Sequence, residues 1–148
     1  RTFPNAVIHV INGILTADDL EMLRDNNLKL LILGYKNIGR GAEYEVDNEI
    51  IIKMRQRYLY DVLPTLADHF AVVSFDNLAI DQLDAKRIVS DSDWDTLYMG
   101  DEGSQTFAID MVDGVFSLNS IVTDPQRLYP IMDNIHDMFA VIQNELAS

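Results

Sequence analysis

The chain has 148 residues, of which 48% are hydrophobic and 24% are charged, a balance typical of a globular domain. This composition excludes a disordered tail, a collagen-like fibre and a coiled coil. No apolar stretch approaches the roughly 18 residues that a membrane span needs. The formal net charge is −13, and a surface this acidic repels nucleic acid and anionic lipid. We therefore expect neither a nucleic-acid partner nor a membrane partner.

The absence of cysteine excludes several kinds of site within the chain. Without thiolates the chain cannot form a disulfide scaffold, present a thiol nucleophile or hold a Cys-ligated iron–sulfur cluster. The sequence starts at Arg1, and its first residues lack the basic region and apolar run of a signal peptide, so none is expected. From these features we expect a cytoplasmic protein whose N-terminal part has been removed.

The first half of the chain alternates apolar runs with helical patterns. The segments Ala6–Ile11, Leu28–Leu33 and Ala71–Phe75 are short and rich in apolar residues, as expected for strands buried on both faces. A capping-box-like start at Thr16–Asp19 opens the first helix. A second, longer helix is predicted from Asp47 to Tyr60.

This alternation predicts parallel strands joined by crossover helices. The predicted fold class is α/β, a partial (β/α) barrel of three parallel strands, followed by a C-terminal β-hairpin and helix. Residues 1–77 would form the half-barrel units. Residues 78–148 would form an α+β extension packed on them within one compact domain.

The second half has a different pattern. Ser90 begins a segment typical of a helix N-terminus. Asp113-Gly114 separates the apolar runs Thr106–Val112 and Val115–Leu118, which is the signal of a hairpin with a two-residue turn. Asp124-Pro125 is predicted to open the last helix, with proline in its first turn.

Polar and glycine residues follow each of the three predicted strands. They are Asn12-Gly13, the loop Gly34–Gly41 and Asp76-Asn77. In parallel α/β folds ligands bind at the carboxyl ends of the strands, so these segments together indicate a polar ligand site. The alternative is that Asn, Asp and Gly are there because they form good turns. At any single position the turn explanation is the stronger one.

The loop Gly34–Gly41 matches neither the dinucleotide-binding fingerprint nor the P-loop. Its Lys36 and Arg40 would bind an anion beside the backbone amides, or would be solvated loop charges. The basic residues between Lys53 and Arg57 indicate a solvated helix surface. His9 lies within a predicted buried strand, which favours a structural role.

The same segments resemble the later strands of radical S-adenosylmethionine (SAM) proteins. The closer likeness is to phage- or prophage-associated members of that superfamily, of uncharacterised function. The resemblance covers nearly the whole chain and rests on the segments His9–Gly13, Leu31–Lys36, Gly39–Gly41, Ser74–Ile80, Gln82-Leu83, Tyr98–Gly103 and Ile109-Asp110.

The resemblance implies a fold, a cofactor and a set of site residues. In that superfamily a partial (β/α)6 barrel carries a C-x-x-x-C-x-x-C loop, whose [4Fe–4S] cluster binds SAM and cleaves it to a radical. This chain would supply strands four to six. Asn12 and the loop residues Gly34, Lys36, Gly39 and Arg40 would then contact the methionyl and ribose parts of SAM. The pair Asp76 and Asn77 would lie at the end of strand six, near cofactor or substrate.

The chain departs from that superfamily because it has none of the cluster-binding cysteines. Alone, it is therefore expected to bind no cluster and to carry out no radical chemistry. Two hypotheses stay open: the C-terminal portion of a radical SAM protein, or a non-catalytic interaction module. In either case half a barrel exposes a strand edge. We expect Ala6–Ile11 to pair with the missing N-terminal half or with a second copy.

Overall fold

The computed structural model describes residues 5–147. The chain divides into two compact units, Arg1–Thr96 and Leu97–Ser148, and each is described separately. The first unit continues past residue 77 through two further helices. No helix among the described residues is long and apolar enough to cross a bilayer.

The first unit is a mixed α/β structure built on a three-stranded parallel sheet, which confirms the predicted alternation. Its elements in chain order are β1 (Val7–Ile11), α1 (Ala17–Leu23), β2 (Lys29–Leu33), α2 (Arg40–Val62), β3 (Val72–Phe75), α3 (Asn77–Leu83) and α4 (Asp91–Leu97). Strand β2 lies in the centre, with β1 and β3 parallel to it on either side. The three strands are therefore consecutive neighbours, as expected.

The ends of the helices follow local sequence signals. Thr16 forms the predicted capping box with Asp19, each side chain accepting a hydrogen bond from the other residue's backbone amide. Helix α2 begins at Arg40, seven residues before the predicted start. Gly41, which was predicted to end the loop, therefore lies in the first turn of the helix. It ends at Val62, and Pro64 then lies in the first turn of the 3-10 segment Leu63–Asp68.

The core of the first unit lies between the central strand and the helices that cover it. Leu30 and Ile32 of β2 are fully buried, as the middle strand of a covered sheet requires. The side chains buried with them are Val10, Leu15, Leu20, Leu59, Leu63, Leu66, Phe70, Ala79 and Leu83.

The expectation that β1 is buried on both faces is wrong. Val7 is 43% exposed and Ile11 40% exposed, and His9 is also exposed. Because β1 is an edge strand of the sheet, only part of its surface is covered by neighbouring elements. His9 is therefore a surface residue, and its position gives no support to a buried structural role. The other edge strand, β3, likewise leaves Val72 47% exposed.

The second unit contains the predicted hairpin, formed by β4 (Ala108–Asp110) and β5 (Val115–Ser117), which pair antiparallel. Its connection has four residues, 111–114, where a two-residue turn was predicted. The Asp110 carboxylate explains the longer loop, since its Oδ1 accepts hydrogen bonds from the amides of Val112 and Asp113. Such a turn ends the strand before the residues that were predicted to extend it.

The predicted start of the last helix is also wrong. Asp124 caps only the short 3-10 turn Pro125–Arg127. The chain then adds a third strand, β6 (Tyr129–Pro130), to the hairpin before α5 (Ile135–Leu146) begins after Asn134. The core of this unit forms between β5 and α5 and consists of Phe116, Met138 and Ile142.

Candidate functional site

The carboxyl ends of the three parallel strands lie side by side. The backbone amide of Asn12 donates to the Leu33 carbonyl over 2.8 Å, and the backbone amide of Asp76 donates to the Ile32 carbonyl over 3.1 Å. The Gly34 amide in turn donates to Oδ1 of Asp76 over 2.9 Å. Asn12, Gly34 and Asp76 are thus brought together by the sheet register, as the three polar strand ends predicted.

Asp76 joins two elements through one carboxylate oxygen. Its Oδ1 accepts a hydrogen bond from the Gly34 amide at the end of β2 and a second one, of 2.7 Å, from the Ala79 amide. The second bond caps the N-terminus of α3. Asp76 therefore joins the end of β2 to the start of α3.

Gln82 of α3 forms hydrogen bonds to residues that follow both β1 and β2. Its Oε1 accepts from Nδ2 of Asn12 over 3.0 Å and from the Tyr35 amide over 2.9 Å. Its Nε2 donates to the Tyr35 carbonyl over 2.8 Å. Gln82 is not among the site residues predicted from the sequence. No local signal identifies it, since its partners lie 47 and 70 residues away along the chain.

Asn12 is one of the few buried polar residues, with 1% of its surface exposed. Its Nδ2 is bonded to Gln82, but its Oδ1 is buried and has no hydrogen-bond partner among the described residues. Leaving such an acceptor without a partner costs about 1–3 kcal/mol. Asn12 therefore links the end of β1 to α3 through its Nδ2, while its Oδ1 stays available to accept a hydrogen bond.

An open cavity of about 510 Å³ lies at this edge of the sheet, within the range of small-molecule sites. Its wall is mainly apolar, with a few polar groups. The lining residues are Ile11, Ile14, Leu33, Gly34, Tyr35, Lys36, Ile38, Arg40, Gly41, Tyr44 and Asp76.

Charges of both signs line the cavity. Lys36 and Arg40 supply two cations, and Asp76 supplies a carboxylate. Arg40 is exposed, lies in the first turn of α2 and forms no ion pair within residues 5–147. The N-terminus of a helix attracts anions through its unpaired amides and its dipole. The Arg40 side of the cavity is therefore suited to an anionic group.

Tyr35 shapes the loop that forms one wall of the cavity. Its hydroxyl donates to the Gly41 carbonyl over 2.6 Å. Burial raises the pKa of the Tyr35 hydroxyl, and the nearby carboxylate of Glu45 raises the pKa further. The hydroxyl therefore stays protonated and holds the loop closed. Neither Tyr35 nor Tyr44 was predicted as a site residue. An aromatic residue in a loop such as Tyr35 gives no distinct sequence signal, and Tyr44 reaches the cavity only because α2 begins at Arg40.

The cavity contains four of the predicted site residues and leaves out three. Gly34, Lys36, Arg40 and Asp76 line it, whereas Asn12, Gly39 and Asn77 are not among the lining residues. Asn77 is the first residue of α3. Gly39 has a φ of +50° and a ψ of −128° just before α2, a conformation that only glycine adopts without strain.

No group of three or more metal-ligating side chains occurs within the part of the chain that the structure describes. Since the sequence also has no cysteine, the residues of this chain do not fit a [4Fe–4S] cluster. The groups of the site that can bind a ligand are the cations Lys36 and Arg40, the Asp76 carboxylate and the apolar wall.

Comparison of the chain with protein-family models, with curated proteins and with solved structures gave no significant match.

Proposed function

We propose that this chain binds SAM in the cavity at the carboxyl edge of its sheet, as the C-terminal portion of a radical SAM protein. The observation that carries the proposal is the cavity itself. It lies where parallel α/β folds bind their ligands and is lined by Gly34, Lys36, Arg40 and Asp76.

The groups that line the cavity suit the chemistry of SAM. The carboxylate of its methionyl part would bind beside Arg40 and Lys36. The ammonium group or the ribose hydroxyls would bind the Asp76 carboxylate, which has oxygen acceptors for either. The adenine would pack on the apolar wall with the ring of Tyr44. When bound, SAM supplies the carbon radical precursor, and the residues of this chain bind and orient it.

The [4Fe–4S] cluster does not fit this chain, so no radical step is assigned to its residues. In the proposal the cluster belongs to preceding strands of the same barrel, which would pair with the free edge of β1. The order β1-β2-β3 in one parallel sheet is compatible with three consecutive strands of a (β/α) barrel. A cytoplasmic location is part of the proposal, as expected from the lack of cysteine and of a signal-peptide pattern.

Isothermal titration of the chain with SAM tests the proposal, with Arg40→Gln as the diagnostic variant. Loss of a charge-assisted hydrogen bond costs about 1.5–3 kcal/mol, so we expect binding to weaken by about 10- to 150-fold. Arg40 is exposed and forms no ion pair within residues 5–147. The variant is therefore expected to fold normally.

Lys29→Gln is the matched control. It removes the same charge from the first residue of β2, at the end of the strand opposite the cavity. We expect its affinity for SAM to equal that of the unmodified chain. A folded chain that shows no heat of binding, or equal losses in both variants, would reject the cavity as a SAM site. The non-catalytic interaction module would then be the better hypothesis.

A further inference from the structure

The outer surface of α2 carries an apolar stripe that is exposed among residues 5–96 of the first unit. Val46 is 81% exposed, Ile50 74% and Met54 67%. These residues follow one another at intervals of four, so that they lie along one side of the helix within about 80° of its circumference. We call these three residues the outer stripe.

The outer stripe lies opposite the face by which α2 joins the core. That inner face is marked by Ile52 and Leu59, which are 2% and 1% exposed. At 100° per residue, these positions are about 180° away from Ile50. Helix α2 is therefore apolar on two sides, whereas a helix that only covers a sheet needs a single apolar side. A second apolar side on the surface indicates an interaction site.

Most charges of α2 are divided between its two halves. The acidic residues Glu43, Glu45, Asp47 and Glu49 lie in the N-terminal half and the basic residues Lys53, Arg55 and Arg57 in the C-terminal half, with Arg40 and Asp61 at the two ends as the exceptions. Four of the chain's 11 Lys and Arg residues are on this helix. Two intrahelical ion pairs, Lys53–Glu49 and Arg57–Asp61, are largely exposed and border the outer stripe.

This division is self-complementary about Ile50. If two copies of α2 pack antiparallel with a two-fold axis at Ile50, each position n lies level with position 100 − n of the other copy, and the two meet where both are close to the stripe. Val46 then faces Met54, and Ile50 faces itself. The charges match as well, because Glu43 and Arg57 lie within about 20° of the line of Ile50 and therefore meet across the contact. A parallel arrangement would place like charges opposite each other along the whole length.

We propose that the outer stripe of α2 is a homodimer interface, in which α2 packs antiparallel against α2 of a second copy. The two-fold arrangement is the commonest symmetry of protein oligomers and uses one surface patch on both subunits. The net charge of −13 opposes self-association generally, so a site with locally balanced charge is the place where two copies meet most favourably. The proposal does not depend on SAM binding.

The first test is the molar mass in solution, measured by light scattering during size-exclusion chromatography. The unmodified chain should elute at high micromolar concentration with twice its monomer mass of 16.8 kDa. Ile50→Glu places two carboxylates at the two-fold axis and should convert the protein to a monomer. Met22→Glu is the matched control, because Met22 is 71% exposed on α1, and it should remain dimeric.

Cysteine cross-linking tests the register, and the chain suits it because it contains no native cysteine. Under mild oxidation Ile50→Cys should give a covalent dimer much faster than Met22→Cys. Val46→Cys should not cross-link to itself, since its two copies lie about 12 Å apart along the helix axes and a disulfide needs Cβ atoms about 4 Å apart. An equal mixture of Val46→Cys and Met54→Cys should cross-link.

Exchanged charges provide the last test. Arg57→Glu should weaken the dimer at least tenfold, and Glu43→Arg in the same chain should restore it. A monomeric unmodified chain would overturn the proposal. So would a dimer that survives Ile50→Glu, which would place the contact elsewhere, as at the β1 edge or on the second unit. Self-cross-linking of Val46→Cys at the rate of Ile50→Cys would reject the antiparallel register.

Discussion

Gly34 offers the sharpest test of how the candidate site is built. It ends β2 at the rim of the cavity, and its amide bonds to Asp76. A Cβ atom at this position would lie 2.6 Å from Cβ of Leu78 and 2.8 Å from the backbone nitrogen of Ala79. Both distances are far below van der Waals contact. Gly34→Ala must therefore push α3 away from β2.

The size of the effect follows from two opposing contributions. Overpacking of a close contact costs about 1–3 kcal/mol, and the upper part of that range applies because one neighbour is backbone held by the Asp76 cap. Replacing glycine by alanine restricts the unfolded chain and offsets about 0.4–1 kcal/mol of this cost. We expect the free energy of unfolding of the first unit to fall by about 2 kcal/mol.

Urea denaturation followed by tryptophan fluorescence measures this quantity. Trp94 of α4 is the only tryptophan of the chain and lies in the first unit. A loss of 2 kcal/mol should lower the urea midpoint by about 1 M. The double variant Gly34→Ala/Leu78→Ala should lose at least about 1 kcal/mol less than the sum of the two single losses. A Gly34→Ala variant as stable as the unmodified chain, or strictly additive losses, would refute the close-packing argument.

Two further predictions concern stability. The hydrogen bonds from the Thr16 hydroxyl and amide lower the pKa of Asp19 below its ordinary 3.8, so its stabilising effect is complete above pH 3.8 and is lost as the pH falls through the lower folded pKa. Asp19→Asn should thus lower the urea midpoint at pH 7, and the gap from the unmodified chain should close in acid. Phe116→Ala should cost the second unit about 3–5 kcal/mol, because Phe116 is 1% exposed. Hydrogen exchange should show lost amide protection in β4 and β5, and retained protection would contradict the role of Phe116 in that core.

The elements of the first unit could be predicted from the sequence because their signals are local. The capping box of Thr16 and Asp19 needs only four consecutive residues, and the three apolar runs mark β1, β2 and β3 within one residue of their ends. Local signals failed where a side chain redirected the backbone. The dipeptide Asp113-Gly114 predicted a two-residue turn. The hydrogen bonds to the Asp110 carboxylate instead form a four-residue loop between β4 and β5.

The candidate site was predictable only in outline. That polar strand ends meet at one edge follows from parallel topology, and Gly34, Lys36, Arg40 and Asp76 were identified in this way. Tyr44 was not, because its place on the cavity wall depends on where α2 begins. Gln82 was not predicted either. A glutamine in a short helix forms hydrogen bonds to the ends of β1 and β2 only when the fold brings these strands beside it.

The sequence by itself determined which segments become strands and helices, how they alternate, and which polar residues follow the strands, because hydrophobic periodicity and capping act over a few residues. Only the tertiary structure decided which strand is central, and therefore that His9 is exposed while Leu30 and Ile32 are buried. The same holds for the two apolar sides of α2. The sequence shows only that they are apolar, and the packing of Ile52 and Leu59 onto the sheet decides that Val46, Ile50 and Met54 face outward. Burial depends on what a residue packs against, and that neighbour is distant in sequence.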